Sequence, residues 1–259
     1  MSAPGDVIPG GLFNKIAPVK MSPVPTPPPG GPPALDAVVD RLRQSVLDGL
    51  RRPGDRLDET RLGRELGVSR NTLREAFRVL AHEHLLEHRP HRGVFVRRLG
   101  AREARDVYAT RRLLECGALR EAAVRAAEVA ADPVRAQRLH AEWVPVLADV
   151  GGAVAAGEEA RATGEWEAVG TANGRFHLAL ARLAGNDVVD RTLRGLLTEM
   201  RLLFVDVAGA RAVHEPYLED NARIAALVAA GELVRAAVVL EEYLLRAERH
   251  LVGLHASDS

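Results

Sequence analysis

The chain has 259 residues, enough for one or two domains; at 47% hydrophobic and 27% charged it can bury a core and is not disordered throughout. Basic and acidic residues balance at 35 each, which excludes a globally basic nucleic-acid coat and leaves only a local basic face. The sole cysteine, Cys116, excludes an internal disulfide and sets the expectation of a reducing cytoplasm.

The opening MSAPGDVIPG has no basic region followed by an apolar stretch, so no secretory signal is expected. The segment IAALVAAGELVRAAVVL is broken by Gly231, Glu232 and Arg235, so it reads as two soluble helices and not a membrane span. Lys15 and Lys20 are the only lysines. With arginine supplying nearly all positive charge, a single arginine says little and position must carry the argument.

In chain order, residues 1–33 contain VPTPPPGGPP and are expected to form a disordered or polyproline-like tail. From Ala34 the pattern changes: Leu35, Val38, Val39, Leu42 and Val46 recur at helical spacing, and Pro53-Gly54 ends the run. A short helix follows, with Asp58 as its cap and Leu62 and Leu66 facing inward. Gly67-Val68-Ser69 makes a tight turn, and Ser69 caps a third helix that buries Leu73, Ala76, Phe77 and Leu80. Extended runs at Leu86–Arg89 and Val94–Val96 flank PHRG, a hairpin tip.

Beyond Ala101 the chain reads as helical nearly to its end. Val107, Leu113, Leu114 and Leu119 mark one helix and Leu139 to Leu147 another, followed by helices through Phe176–Leu183, Val188–Phe204, Ile224–Ala230 and Leu233–Leu251. Gly185-Asn186 is a stop followed by a start. The fold expected is mainly α: a winged helix-turn-helix of three helices plus a β-hairpin over 34–100, then an all-α bundle over 101–255.

Burying one side of the third helix turns Arg70, Asn71, Arg74 and Arg78 outward, with Thr72 near the N-terminus. A major groove admits one helix, whose N-terminal residues reach base edges; arginine can grip guanine O6 and N7 together. The hairpin adds His88, Arg89, His91 and Arg92 around Gly93, suited to phosphates or the minor groove. The blander reading is a solvated amphipathic helix, and the agreement of turn, cap, apolar spacing and basic hairpin weighs against it. A zinc site from His82, His84, His88 and His91 is disfavoured, because these residues straddle a helix end and a hairpin without any thiolate.

The segment LDETRLGRELGVSRNTLREAFRVLAHEHLLEHRPHRGVFV is similar to the DNA-binding domain of the GntR family of bacterial transcription regulators, and GVSRNTLREAF carries the match over roughly 34–98. The resemblance implies that Arg70 and Arg74 contact bases or phosphates, with Thr72 and Gly93 in support. Two departures stand out: His84 where the family usually has glycine, and Thr60 where some members carry a DNA-contacting arginine.

The region from about 105 to 253 resembles the helical ligand-binding domain of the FCD class, on VYATRRLLE, NGRFHLALARLAGN, DNARIAALVAAGE and LEEYLLRAERHL. The resemblance implies an effector-responsive regulator, usually a dimer, many members of which hold a metal in the bundle. The usual ligands are an aspartate or asparagine four residues before a histidine, then two further histidines. Here those places fall to Asn173, His177, Asn221 and Tyr243. One histidine and two amides make a poor transition-metal site, so no tightly held divalent metal is expected. A rearranged site using His177, His214 and His250 stays open as a minor alternative. The four residues suit a small organic effector instead, with Arg111 a partner for its carboxylate; the plainer alternative is satisfied buried polar groups.

The resulting expectation is a cytoplasmic, homodimeric regulator, a repressor, on a near-palindromic double-stranded operator, released by its effector. The alternative is a metal-dependent enzyme or metal sensor built in the helical half. No HExxH, GxSxG or glycine-rich phosphate loop supports an enzyme, and Cys116 reads as core.

Overall fold

The computed structural model describes residues 34–47, 49–205 and 210–257; the tail expected over 1–33 lies outside the described residues. Three helices come first: α1 (Leu35–Leu47), α2 (Glu59–Leu66) and α3 (Arg70–His82). Asp58 caps α2, its carboxylate accepting from the Thr60 and Arg61 amides at 2.8 and 2.9 Å. Gly67 closes that helix at φ 68°, in the left-handed region that favours glycine. Two residues later the Ser69 hydroxyl accepts from the Thr72 amide and starts α3. Leu73, Ala76, Phe77 and Leu80 of α3 are buried against Val38, Val39, Leu42 and Val46 of α1 and Leu62 and Leu66 of α2.

The hairpin of β2 (Leu86–Arg89) and β3 (Gly93–Val96) follows. A further strand, β1 (Arg56–Leu57), adds to its edge and gives the antiparallel order β1-β3-β2, with Arg56 opposite Phe95 and Leu57 opposite Val94. Sequence periodicity did not reveal β1, because two residues hold no period; only pairing with β3 defines it.

His84 adopts φ 59°, and the Leu85 amide donates back to the Leu80 carbonyl at 3.0 Å, the bond that terminates a helix around a left-handed residue. The histidine therefore takes the backbone conformation for which glycine is the usual residue. An L side chain there costs about 1–2 kcal/mol, and glycine's greater unfolded-state freedom offsets about half of any gain. His84→Gly is expected to stabilise the protein by about 0.5–1 kcal/mol, as read by urea unfolding.

The second half is helical throughout its described residues: α4 (Ala101–Arg111), a π turn (Arg112–Cys116), α5 (Gly117–Val129), α6 (Pro133–Thr163), α7 (Trp166–Arg182), α8 (Asp187–Val205), α9 (Ala210–His214), a 3-10 turn (Glu215–Tyr217), α10 (Leu218–Ala229) and α11 (Leu233–Ser257). The helix expected around Leu139–Leu147 runs far longer, through Pro145, because Trp143, Val150, Ala153 and Ala160 are all buried along its length. Asp132 caps it and Pro133 occupies its first position, where a missing N–H is harmless.

Leu113 was expected on the apolar face of its helix and is instead 77% exposed. The π turn accounts for this correction: one extra residue per turn rotates the face, swinging Leu113 outward and bringing Glu115 and Cys116 inside. Burial pushes the Cys116 thiol up to about 12, so it stays protonated and packs as a small apolar group.

The two halves share one continuous core, with Leu99 buried between them. Just past β3, Arg97 forms an ion pair with Glu199 of α8 at 2.5 Å, tying the wing's end to the helical bundle.

Candidate nucleic-acid interface and effector site

Packing of α3 leaves Arg70, Asn71, Arg74 and Arg78 exposed on its outer side, with Thr72 half-buried beside the capping Ser69. Their surroundings differ. Arg74 donates from Nε to Glu59 Oε2 at 3.0 Å, and Arg78 pairs with Glu75 one turn back at 2.5 Å. Arg70 and Asn71 form no side-chain hydrogen bond or ion pair among the described residues.

On the wing, His91 and Arg92 are exposed and the Arg92 amide closes the tip onto the Arg89 carbonyl at 3.0 Å. His91 at φ 59° and Gly93 at φ 103° make the tight reversal. Arg89 has partners of its own on the wing. It lies over the Phe95 ring, 4.4 Å from the centroid, and pairs with Glu87. Thr60 is exposed at the second position of α2, where its short side chain extends the basic face no further.

In the helical half, the structure brings Asn173, His177, Asn221 and Tyr243 into one hydrogen-bonded chain. Asn173 and His177 lie one turn apart on α7, Asn221 comes from α10 and Tyr243 from α11. Asn173 Oδ1 accepts from Asn221 Nδ2 at 2.7 Å and from the Tyr243 hydroxyl at 3.3 Å. The same hydroxyl lies 3.1 Å from His177 Nε2.

Sequence reasoning missed Glu115, which links this chain to Arg111. Its carboxylate takes Arg111 Nε on one oxygen at 2.6 Å and His177 Nδ1 on the other at 2.7 Å. Arg111, Glu115 and His177 are 1%, 0% and 0% exposed. The available signal was the four-residue spacing from Arg111 to Glu115, which puts them together on a helix. Burial pushes the Glu115 carboxyl up, but the Arg111 guanidinium, then the His177 ring, hold it below its ordinary value and keep it ionised. Burial pushes His177 down, so the ring is neutral, with Nδ1–H donating to Glu115 and Nε2 facing the Tyr243 hydroxyl, whose single proton is shared between Nε2 and Asn173 Oδ1.

Arg111 also donates from Nη1 to Met200 Sδ at 3.1 Å, while its Nη2 is buried with no partner among the described residues. Arg111, Asn173, Met200, Tyr217, Tyr243 and His250 line a narrow cavity with room for about one water molecule. His214 also lines it, its ring edge-on to Phe204 and so close to Gly170 that a methyl group there would lie 2.5 Å from Nε2. Burial lowers His214 to about 4, so it too is neutral. His250 takes a 3.1 Å bond with the Tyr217 hydroxyl.

These residues do not fit a bound metal. The His177 and Asn173 lone pairs that a cation would use already meet the Tyr243 hydroxyl and the Asn221 amide, and Glu115 lies on the far nitrogen of His177, neutralised by Arg111. The alternative set His177, His214 and His250 forms no cluster: among the described residues, no three His, Cys, Asp or Glu side chains converge as metal ligands.

Comparison with known proteins is decisive for the family. The model of bacterial regulatory proteins of the gntR family matches residues 35–96, and that of the FCD domain matches residues 106–246. The chain belongs to the gntR family. This GntR protein is 31% identical over 175 residues to the Nta operon transcriptional regulator of Aminobacter aminovorans, a match spanning 67% of this chain and 75% of that one. Over 82 residues it is 35% identical to the transcriptional repressor RspR of Escherichia coli K12, covering 32% of this chain and 36% of that protein. Among solved structures, a transcriptional regulator GntR from Rhodococcus sp. RHA1 superimposes with a TM-score of 0.71 at 34% identity, covering 85% of this chain and 97% of the other. McbR/YncC of E. coli shares the fold at 20% identity and a TM-score of 0.66, covering 84% and 96%. The GntR protein is thus a DNA-binding transcription regulator with an FCD effector-binding domain. Among its described residues, no helix is long and apolar enough to cross a membrane.

Proposed function

We propose that this GntR regulator is a homodimeric cytoplasmic repressor that leaves a near-palindromic operator when a small organic effector enters the FCD cavity. It is not an enzyme on this reading. Two copies of α3 enter successive major grooves, with Arg70, Asn71, Thr72, Arg74 and Arg78 toward the bases and Arg89, His91, Arg92 and Gly93 toward the backbone or minor groove.

The observation that carries the effector reading is the buried, unpartnered Nη2 of Arg111 on a cavity wall made of Asn173, Tyr217, Tyr243 and His250. A buried donor without an acceptor costs about 1–3 kcal/mol, more when charged, so an effector carboxylate or other acceptor placed there regains that energy. The cavity holds little more than a water as it stands, so an occupant must displace Met200 from Arg111. Met200 directly follows Glu199 on α8, and Glu199 is the residue paired with Arg97 at the wing's end. Movement of α8 is the route by which occupancy alters the DNA-binding half, with coupling of about 1–3 kcal/mol, or some 5–150-fold in operator affinity.

The test is a binding assay on the DNA upstream of the protein's own gene, repeated with metabolites of the neighbouring genes' products. Sequence-selective binding that one metabolite weakens is expected. Binding indifferent to sequence would reject the regulator mechanism, and turnover of the metabolite would revive the enzymatic alternative.

A further inference from the structure

The ion pair between α2 and the exposed side of α3 bears on how this protein chooses its DNA. Glu59, the first residue of α2, takes Nε of Arg74 at 3.0 Å, although Arg74 is 61% exposed and Glu59 32%. A pair so open to water contributes at most about 1 kcal/mol to folding. An acid beside a cation on the exposed side of α3 also repels phosphates, which disfavours nonspecific DNA. Neither effect explains an acid in this place by stability or by general affinity.

Geometry offers a reason. A guanidinium presents one edge through Nε and a second through its two terminal nitrogens. With Nε engaged by Glu59, the Nη1 and Nη2 edge is the one left to grip an acceptor pair. Holding the fork in place beforehand removes part of the roughly 2 kcal/mol of rotamer entropy that a free arginine loses on docking. Arg70 has no such brace among the described residues, and the partner of Arg78 lies on its own helix. A duplex covering this face would also exclude water from Glu59. Any complex in which Arg74 swung away to a phosphate would then leave the carboxylate desolvated and unpaired.

We propose that Glu59 is a positioning residue that sets sequence specificity: it aims the terminal nitrogens of Arg74 at O6 and N7 of a guanine and penalises complexes in which Arg74 turns to the backbone. This rests on reading α3 as the recognition helix. The experiment therefore begins by selecting preferred duplexes from random DNA with the full-length wild-type protein. Affinities of wild type, Glu59→Gln and Glu59→Ala are then measured for the selected duplex and for a scrambled one.

Both variants should bind scrambled DNA more tightly, by about 2–5-fold, because one negative charge has left the interface. The ratio of selected to scrambled affinity should fall about 10-fold in Glu59→Ala and less in Glu59→Gln, whose amide oxygen still accepts from Nε. Selection repeated with Glu59→Ala should relax the same guanine that Arg74→Ala relaxes. An unchanged ratio in the alanine variant, or relaxation at a different base, overturns the assignment. Thermal unfolding of both variants accompanies the assay; if the alanine variant fails to fold, an unchanged ratio in Glu59→Gln is the overturning result. No preferred duplex for wild type would instead overturn the recognition-helix reading, and this inference with it.

Discussion

Glu115→Ala is expected to destabilise the protein by about 3–5 kcal/mol, the loss associated with stranding one member of a buried ion pair. Glu115 and Arg111 have essentially no contact with solvent, so neither can turn to water once its partner is gone. The guanidinium would keep only Met200 Sδ as an acceptor, and His177 Nδ1 would lose its carboxylate as well. Replacing both charges at once, as Arg111→Met with Glu115→Leu, should regain most of the ion-pair loss, because two apolar groups of similar volume need no compensation. A remainder of about 1–3 kcal/mol should persist from the unpaired His177 nitrogen. Chemical denaturation of the wild type, the single variant and the double variant checks this. A single-variant loss below about 1 kcal/mol would mean that the pair is solvated and that the cavity wall is not built as described. On the proposed function, the double variant folds and binds its operator but no longer responds to the effector.

Arg74→Ala should weaken binding to the preferred operator by about 1–3 kcal/mol, or roughly 5–150-fold, with a much smaller loss on scrambled DNA. That contrast separates two roles for one guanidinium. A base contact loses discrimination at a single position and leaves the others intact. A phosphate contact loses affinity on all sequences alike and lowers the salt slope by about one. Equal losses on both duplexes would therefore place Arg74 on the backbone and leave Arg70 as the principal reader of sequence. Titrations at several salt concentrations decide between them.

Much of the DNA-binding half was legible because its signals are local. Asp58 and Ser69 declare their helices through short side chains that cap within three residues, and Gly67 marks the left-handed turn between them. The outward direction of Arg70 and Arg74 follows from burying Leu73, Ala76, Phe77 and Leu80 at helical spacing. The two-residue strand β1, the stacking of Arg89 on Phe95 and the Glu59–Arg74 pair were not legible in this way. Each joins residues separated along the chain, and no local pattern announces such contacts.

The sequence by itself determined the order of the main helices, the apolar faces that they bury in the DNA-binding half, and which side of α3 bears its cations, since those depend on spacing along a single element. The tertiary structure alone decided the chemistry of the cavity. The π turn rotates Glu115 inward, where α7 delivers His177 with Tyr243 of α11 on its other nitrogen, and the carboxylate holds a guanidinium with one nitrogen left unpaired among the described residues. Periodicity assumes a constant rotation per residue, so a single wider turn that resets the face is settled by what packs against it.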